Sequence, residues 1–419
     1  MLNIIQQRSL EKCIDENYGE FLITLSAFEA AGLRVYDLLV SIYEGEVEIA
    51  NCYVHVAGLY VILENSLGDP YLALQELSRE IRTTKLASFL RGYSDVLITS
   101  GDTRTHVNST LRSELANIKA RIENSLRVLE TLYESTIALI LTLSLLVVMP
   151  IWSIPVWASL LVIQASGVLS YLLAFKIIKQ LYYPYHGVLL IADLLYLLAL
   201  PVLVVVSHAG LLSLLVLVVL HFTTRRFTTE LFNIEVEVVK NFREVYSEVL
   251  LGRPLDLALI DSLSKSQLEV LRTVSFVFSR GLNGYEITRE LKIPRFPRKI
   301  LMLLFNPLKY SYTSMAYLSA VNTFIEELMS TRILVKEKTR MYTLHVLILA
   351  LLISASYIML SQIPVLVQGN IKLIGLYGYL GIVLLSAPIG LVRNSCYVAS
   401  KISLLFTLIA IGVLTLITT

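Results

Sequence analysis

The chain has 419 residues, 55% of them hydrophobic and only 16% charged, with a mean hydropathy of +0.68. A soluble domain carries about 25% charged residues, so this composition excludes a soluble globular protein and points to a polytopic membrane protein. The net charge of +2 hides a split: residues 1–134 hold 12 Lys/Arg against 19 Asp/Glu, and residues 223–342 hold 18 against 13. The two polar stretches therefore carry opposite charge and are expected to meet each other or different partners.

In chain order, the start "MLNIIQQRSLEKCIDENYGE" has no apolar core behind a basic leader, so no cleaved signal is expected and the N-terminus should stay inside. Residues 1–134 read as helical, with apolar positions three and four apart, as in Leu111, Leu115, Ile118, Ile122, Leu126 and Leu129. Apolar runs of spanning length follow at 137–152, 156–178, 188–206 and 211–222, then, after a second polar helical region, at 344–367, 371–392 and 402–417. Seven spans result. The order is a helical module over 1–134, four spans over 135–222, a second module over 223–342, and three spans over 343–419.

Basic residues set the orientation. Lys176, Lys179, Arg225, Arg226, Lys336, Lys338, Arg340, Arg393 and Lys401 all fall on one side of this arrangement, which the positive-inside rule makes cytoplasmic. Both polar modules then lie in the cytoplasm and the C-terminus outside. Cys13, Cys52 and Cys396 show no metal-ligand spacing, and their odd number argues against a disulfide framework. They read as reduced thiols.

Two features recur in both polar regions. "GDPYLAL" begins at Gly68 and "GRPLDLAL" at Gly252; each is followed by a helix, a Gly-containing turn ("SGD" at Ser100, "SRGLNG" at Ser279) and a long stretch running into a span. Gly68 and Gly101 suit positive φ, Pro70 suits a first helical turn, and Asp102 or Thr103 suits a cap. No Gly or Pro occurs from Thr103 to Met149 or from Leu308 to Gln362, so each stretch is expected to be one continuous helix. The expected fold is all-α, with two duplicated cytoplasmic helical-bundle modules; Gly68, Pro70, Gly101, Asp102, Gly252 and Pro254 mark their turns.

This layout resembles the inner-membrane platform protein of type IV pilus, archaellum and type II secretion machines, on "LGDPYLALQEL" with "FLRGYSDVLITSGD" and on "LLGRPLDLALIDSL" with "FSRGLNGYEITREL". The likeness covers nearly the whole chain, and four spans between modules resemble the archaeal branch. It implies a non-enzymatic scaffold in the cell membrane that seats a cytoplasmic hexameric ATPase and receives pilin-like subunits from the bilayer. The rival classes are a multi-span transporter, for which repeats within the membrane would be expected, and a membrane receptor with helical cytoplasmic domains.

Catalytic signatures are missing: no phosphate loop, zinc-protease pair or nucleophile elbow occurs, and no cofactor, metal or nucleic-acid partner is expected. Asn108 opens an "NST" sequon that reads as chance on the cytoplasmic side. His208, His221 and His345 sit at span ends without metal-ligand spacing. Asp193 is the one acid inside a span, where protonation or a hydrogen bond to a neighbouring helix, through Gln164 or Tyr196, is the expected accommodation. The ATPase contact is expected on the basic stretch Arg280 to Lys299, with Arg289, Lys292, Arg295, Arg298 and Lys299 as candidates and Pro294 and Pro297 projecting it as a loop. The same charges could instead pack on the acidic first module, in one chain or across a homodimer, or touch lipid headgroups.

Overall fold

The computed structural model describes residues 4–47, 49–81, 84–148, 156–181, 187–206, 211–281, 293–309, 315–361 and 371–418. Among them every regular element is a helix. In chain order these are α1 (Ile4–Glu16), α2 (Tyr18–Ala30), α3 (Val35–Tyr43), α4 (Asn51–Leu67), α5 (Pro70–Glu80), α6 (Lys85–Thr99), α7 (Thr103–Val148) and α8 (Val156–Gln180). They continue as α9 (Gly187–Val206), α10 (Leu211–Leu250), α11 (Leu255–Ser264), α12 (Glu269–Ser279), α13 (Arg295–Lys309), α14 (Met315–Ser361), α15 (Ile371–Asn394) and α16 (Lys401–Thr418). The all-α expectation holds, and α7 runs unbroken; of the second stretch expected as one helix, 308–362, Leu308 and Lys309 belong instead to α13, and α14 accounts for Met315–Ser361.

The chain divides into two compact units: Met1–Lys119 with Glu237–Ile293 and Pro297–Leu328, and Ala120–Val236 with Pro294–Phe296 and Met329–Thr419. The first unit draws on both polar regions. Its core comes from apolar stripes at helical spacing, such as Phe21, Leu22 and Leu25 of α2, Leu86 and Leu90 of α6, Leu259 and Leu263 of α11, and Val321 and Ile325 of α14, all buried. Phe21 stacks on Tyr53 with ring centres 5.1 Å apart. Cys13 of α1 and Cys52 of α4 are joined by a disulfide, which corrects the reduced-thiol expectation. Pairing across 39 residues depends on α1 lying against α4, and local spacing carries no sign of it.

In the second unit α15 is the central helix, with 89% of its apolar window enclosed, packed on α8 and α16. Glycines make that possible. A Cβ on Gly167 would fall 2.6 Å from Leu384 Cβ, so α8 approaches α15 this closely only because that position is bare; one on Gly381 would fall 2.4 Å from Ile140 Cδ1 of α7, the movable end of that side chain.

Among the described residues five helices are long and apolar enough to cross a membrane: Trp157–Lys179, Gly187–Val204, Leu211–Leu250, Tyr317–Met359 and Leu373–Asn394, with Lys401–Thr415 a shorter apolar helix. The chain is thus a multi-pass membrane protein. Of the seven expected spans, the one at 137–152 runs out of α7 into residues outside the described set, and the short one at 211–222 is the beginning of the 40-residue α10. The connections between the expected spans at 152–155, 207–210 and 368–372 lie wholly or mostly outside the described residues.

Candidate functional site

The turn residues come first, because they set where the helices of the first unit begin and end. Gly68 closes α4 with φ +67° and Gly101 follows α6 with φ +70°; Gly252 follows α10 with φ +89° and Gly281 follows α12 with φ +81°. A side chain at any of these would be strained in the left-handed region. Asp69 caps α5, its Oδ1 accepting from Tyr71 N at 2.7 Å and Leu72 N at 3.3 Å, with Pro70 as first helical residue. Asp102 caps α7 by accepting from Thr105 N at 3.2 Å. Hydrogen bonding from the Thr105 hydroxyl, and then from its N–H, holds the Asp102 carboxyl below the usual carboxylate range.

Thr103, the other capping candidate, is used differently. Its hydroxyl donates to Glu29 Oε2 at 2.7 Å, while Glu29 also accepts from Tyr93 Oη and, at 3.2 Å, from Arg34 Nη1. Glu29 is buried, and this clasp fastens the ends of α2, α3, α6 and α7 together. Burial, with the bond to Glu29, pushes the Tyr93 hydroxyl well above the ordinary tyrosine value. The clasp was missed in the sequence, although a lone acid in the apolar run "LITLSAFEAAGL" is a signal for a paired buried carboxylate.

The basic stretch is only partly described. Arg289 and Lys292 lie outside the described residues, and Arg295 is the first residue of α13. The loop expected at Pro294 and Pro297 is instead the entry to that helix, since a proline within the first turn lacks an N–H the helix would not have used. Lys299 is turned inward: its Nζ lies 2.6 Å from Glu20 Oε1 of α2, and the two side chains are 13% and 17% exposed. Burial pushes the Lys299 ammonium below the ordinary lysine value, with Glu20 pulling the other way. Arg298 donates to Ile293 O at 3.3 Å. The structure therefore brings Lys299 onto the acidic first region.

Among the described residues, Asp193, Glu235 and Arg332 are the buried charged side chains of the second unit. Asp193 of α9 accepts from Tyr171 Oη at 2.8 Å, Tyr397 N at 2.7 Å, Val398 N at 2.9 Å and Cys396 Sγ at 3.4 Å. It ties down the connection between α15 and α16, whose residues Ser395 to Ser400 are all buried. The expected partners were different: Gln164 donates to Leu197 O at 2.6 Å instead. Arg332 of α14 was not singled out in the sequence; it pairs with Glu235 of α10, donates through Nε to Leu181 O at 2.9 Å, and lies 4.8 Å over the Phe296 ring. Four separate segments meet on that guanidinium.

Among the described residues no three His, Cys, Asp or Glu side chains group as metal ligands. His221 Nδ1 lies 3.1 Å from Val398 O, and His208 lies outside the described residues. The charges of this arrangement fasten helices to one another. The chain matches no family model, no curated protein and no solved structure.

Proposed function

We propose that the chain is a platform in the cell membrane for assembling a type IV pilus-like filament, coupling a cytoplasmic hexameric ATPase to the insertion of pilin-like subunits, through two copies of one helical module. One observation carries this reading. Counted from their helix starts, α5 and α11 share four buried positions, Ala73 and Ala258 fourth, Leu74 and Leu259 fifth, Leu77 and Ser262 eighth, Ser78 and Leu263 ninth, with α11 burying its first residue, Leu255, as well. Each helix follows a positive-φ glycine and precedes another helix ending near a second one. A repeated polar module beside a multi-pass membrane part fits a scaffold better than a transporter, whose repeats lie within the bilayer.

The test is deletion and co-purification. Removing the chain should abolish surface filaments while subunit precursors persist in the membrane, and the affinity-tagged chain should retain a secretion-type ATPase. Intact filaments in the deletion strain, with no ATPase retained, would sink the proposal.

The Cys13–Cys52 disulfide favours a different orientation, because reducing cytosols keep thiols reduced, outside the disulfide-rich interiors of hyperthermophiles. Impermeant maleimide on Ser264→Cys separates the two, since Ser264 is exposed on α11. No labelling in intact cells supports the cytoplasmic placement drawn from the basic residues; strong labelling reverses it.

A further inference from the structure

A groove of about 190 Å³ opens in the first unit between α7, α2 and the beginning of α14. Its apolar lining is deep: Leu111 and Phe324 are buried and Leu115 half-buried. Arg104 and Arg112 line it from exposed positions. Together with Asn108 they lie four residues apart on α7, hence on one helix face.

Neither arginine forms an ion pair with a described residue, whereas Arg34, Lys85 and Lys299 of the same unit pair with Glu29, Glu114 and Glu20. Asn108 Oδ1 is taken by the Ser26 hydroxyl at 2.8 Å, which leaves its amide as a donor. The groove thus offers two cations and a donor over an apolar floor. Its complement is anionic with an apolar anchor.

Size narrows the class. Sites for cofactors and drug-sized ligands run to roughly 300–1,000 Å³, so this groove suits one or two side chains of a polypeptide. The two arginines are eight residues apart, about 12 Å along the helix axis, a span that carboxylates on either side of one Leu or Phe can bridge.

We propose that this groove docks an acidic segment of a partner protein, one large apolar side chain seated on Leu111, Leu115 and Phe324 and flanking carboxylates on Arg104 and Arg112. Because α2 and α7 come from the first polar region and α14 from the second, the docked segment clamps the two regions together. The proposal stands without the platform reading, which would only name the partner.

The experiment uses the full chain in nanodiscs of neutral phosphatidylcholine, with short fluorescent peptides followed by anisotropy. One peptide carries Asp and Glu around a central Phe, a second replaces the acids by Lys, and a third replaces the Phe by Ser. The acidic Phe peptide should bind, more weakly as salt rises, and the other two should not. Arg104→Glu with Arg112→Glu should weaken it by about tenfold or more, and Lys119→Glu, exposed further along α7, should leave it unchanged. If that pair disturbs the fold by circular dichroism, Arg104→Gln with Arg112→Gln serves in its place, with the same loss expected. Equal binding of acidic and basic peptides, or unchanged binding to the double variant, overturns the proposal. So does a groove that ignores peptide yet binds phosphatidylglycerol vesicles through these arginines, which would make it a lipid contact.

Discussion

Around Gly68 and around Gly252 the chain makes the same backbone move with different side chains. At the first turn Asp69 caps α5 and Pro70 is its first residue; at the second Arg253 follows the glycine and Pro254 takes the capping position of α11, with no side-chain bond to the helix end. Arg253 instead bridges Glu248 at 2.7 Å and Asp261 at 2.8 Å. The proline has slipped by one position against the helix, so Ala258 lies four residues beyond Pro254 and Ala73 three beyond Pro70, yet both alanines are buried fourth residues. Leu257, at the spacing that the proline would select, is 50% exposed. Burial periodicity, which the core enforces, is kept; the capping chemistry, which faces solvent, is free to change.

The sharpest asymmetry between the regions is the disulfide, since the described part of the second has no cross-link. Replacing Cys13 and Cys52 by Ser should cost the first region about 3–4 kcal/mol, as expected for closing a loop of this length. Hydrogen exchange should rise in α1 and α4 and not in α11 and α12; an equal rise in both would merge the two regions into one cooperative element. Next, Ala73→Leu and Ala258→Leu should each destabilise by about 1–3 kcal/mol through overpacking. Leu257→Ala should stay within about 0.5 kcal/mol, and if it proves the costlier change at the second turn, the register match is wrong.

Smaller effects separate the caps. Asp69→Ala should cost about 1 kcal/mol, read as a lowered melting temperature. Arg253→Ala should leave the melting temperature unchanged, because its bridges are exposed to water. The smallest effect belongs to His106, which stacks on Phe89 at 5.6 Å and is pushed below the ordinary histidine value by burial. The unfolded chain then takes up protons more readily as pH falls through about 6.5, so the stability that neutral His106 contributes is present above that pH and lost below it. His106→Gln should flatten this part of the pH–stability curve, and an unchanged slope would assign it to another group.

Much of this comparison was legible beforehand. The Gly and Pro punctuation placed the turns, and their absence gave α7 as a continuous helix and α14 as the greater part of a run that wrongly took in Leu308 and Lys309 of α13, because those residues act through local backbone sterics. What stayed hidden depends on distance along the chain. Asp193 was marked as needing a partner, but two of its donors are backbone N–H groups of Tyr397 and Val398, which no side-chain pattern advertises. The basic stretch was plain as charge, but its Lys299 finds Glu20 only through the packing of α13 on α2. Five acids crowd the first polar region before residue 30, and sequence cannot choose among them.

The enclosure of α15 also has a bearing on how its sequence can drift. A helix such as Gly187–Val204, one-third buried, faces mostly lipid, so selection on it acts chiefly through hydropathy and lets Leu, Val and Ile interchange. Within Leu373–Asn394, 89% buried, the neighbours are other side chains, so selection acts on volume: Ser386 and the tyrosines 377 and 379 are admitted because each finds a hydrogen bond, while any side chain at Gly381 would have to displace the Cδ1 end of Ile140. Between distant descendants of this chain, α9 should diverge in letters and keep its greasiness, and α15 should do the reverse.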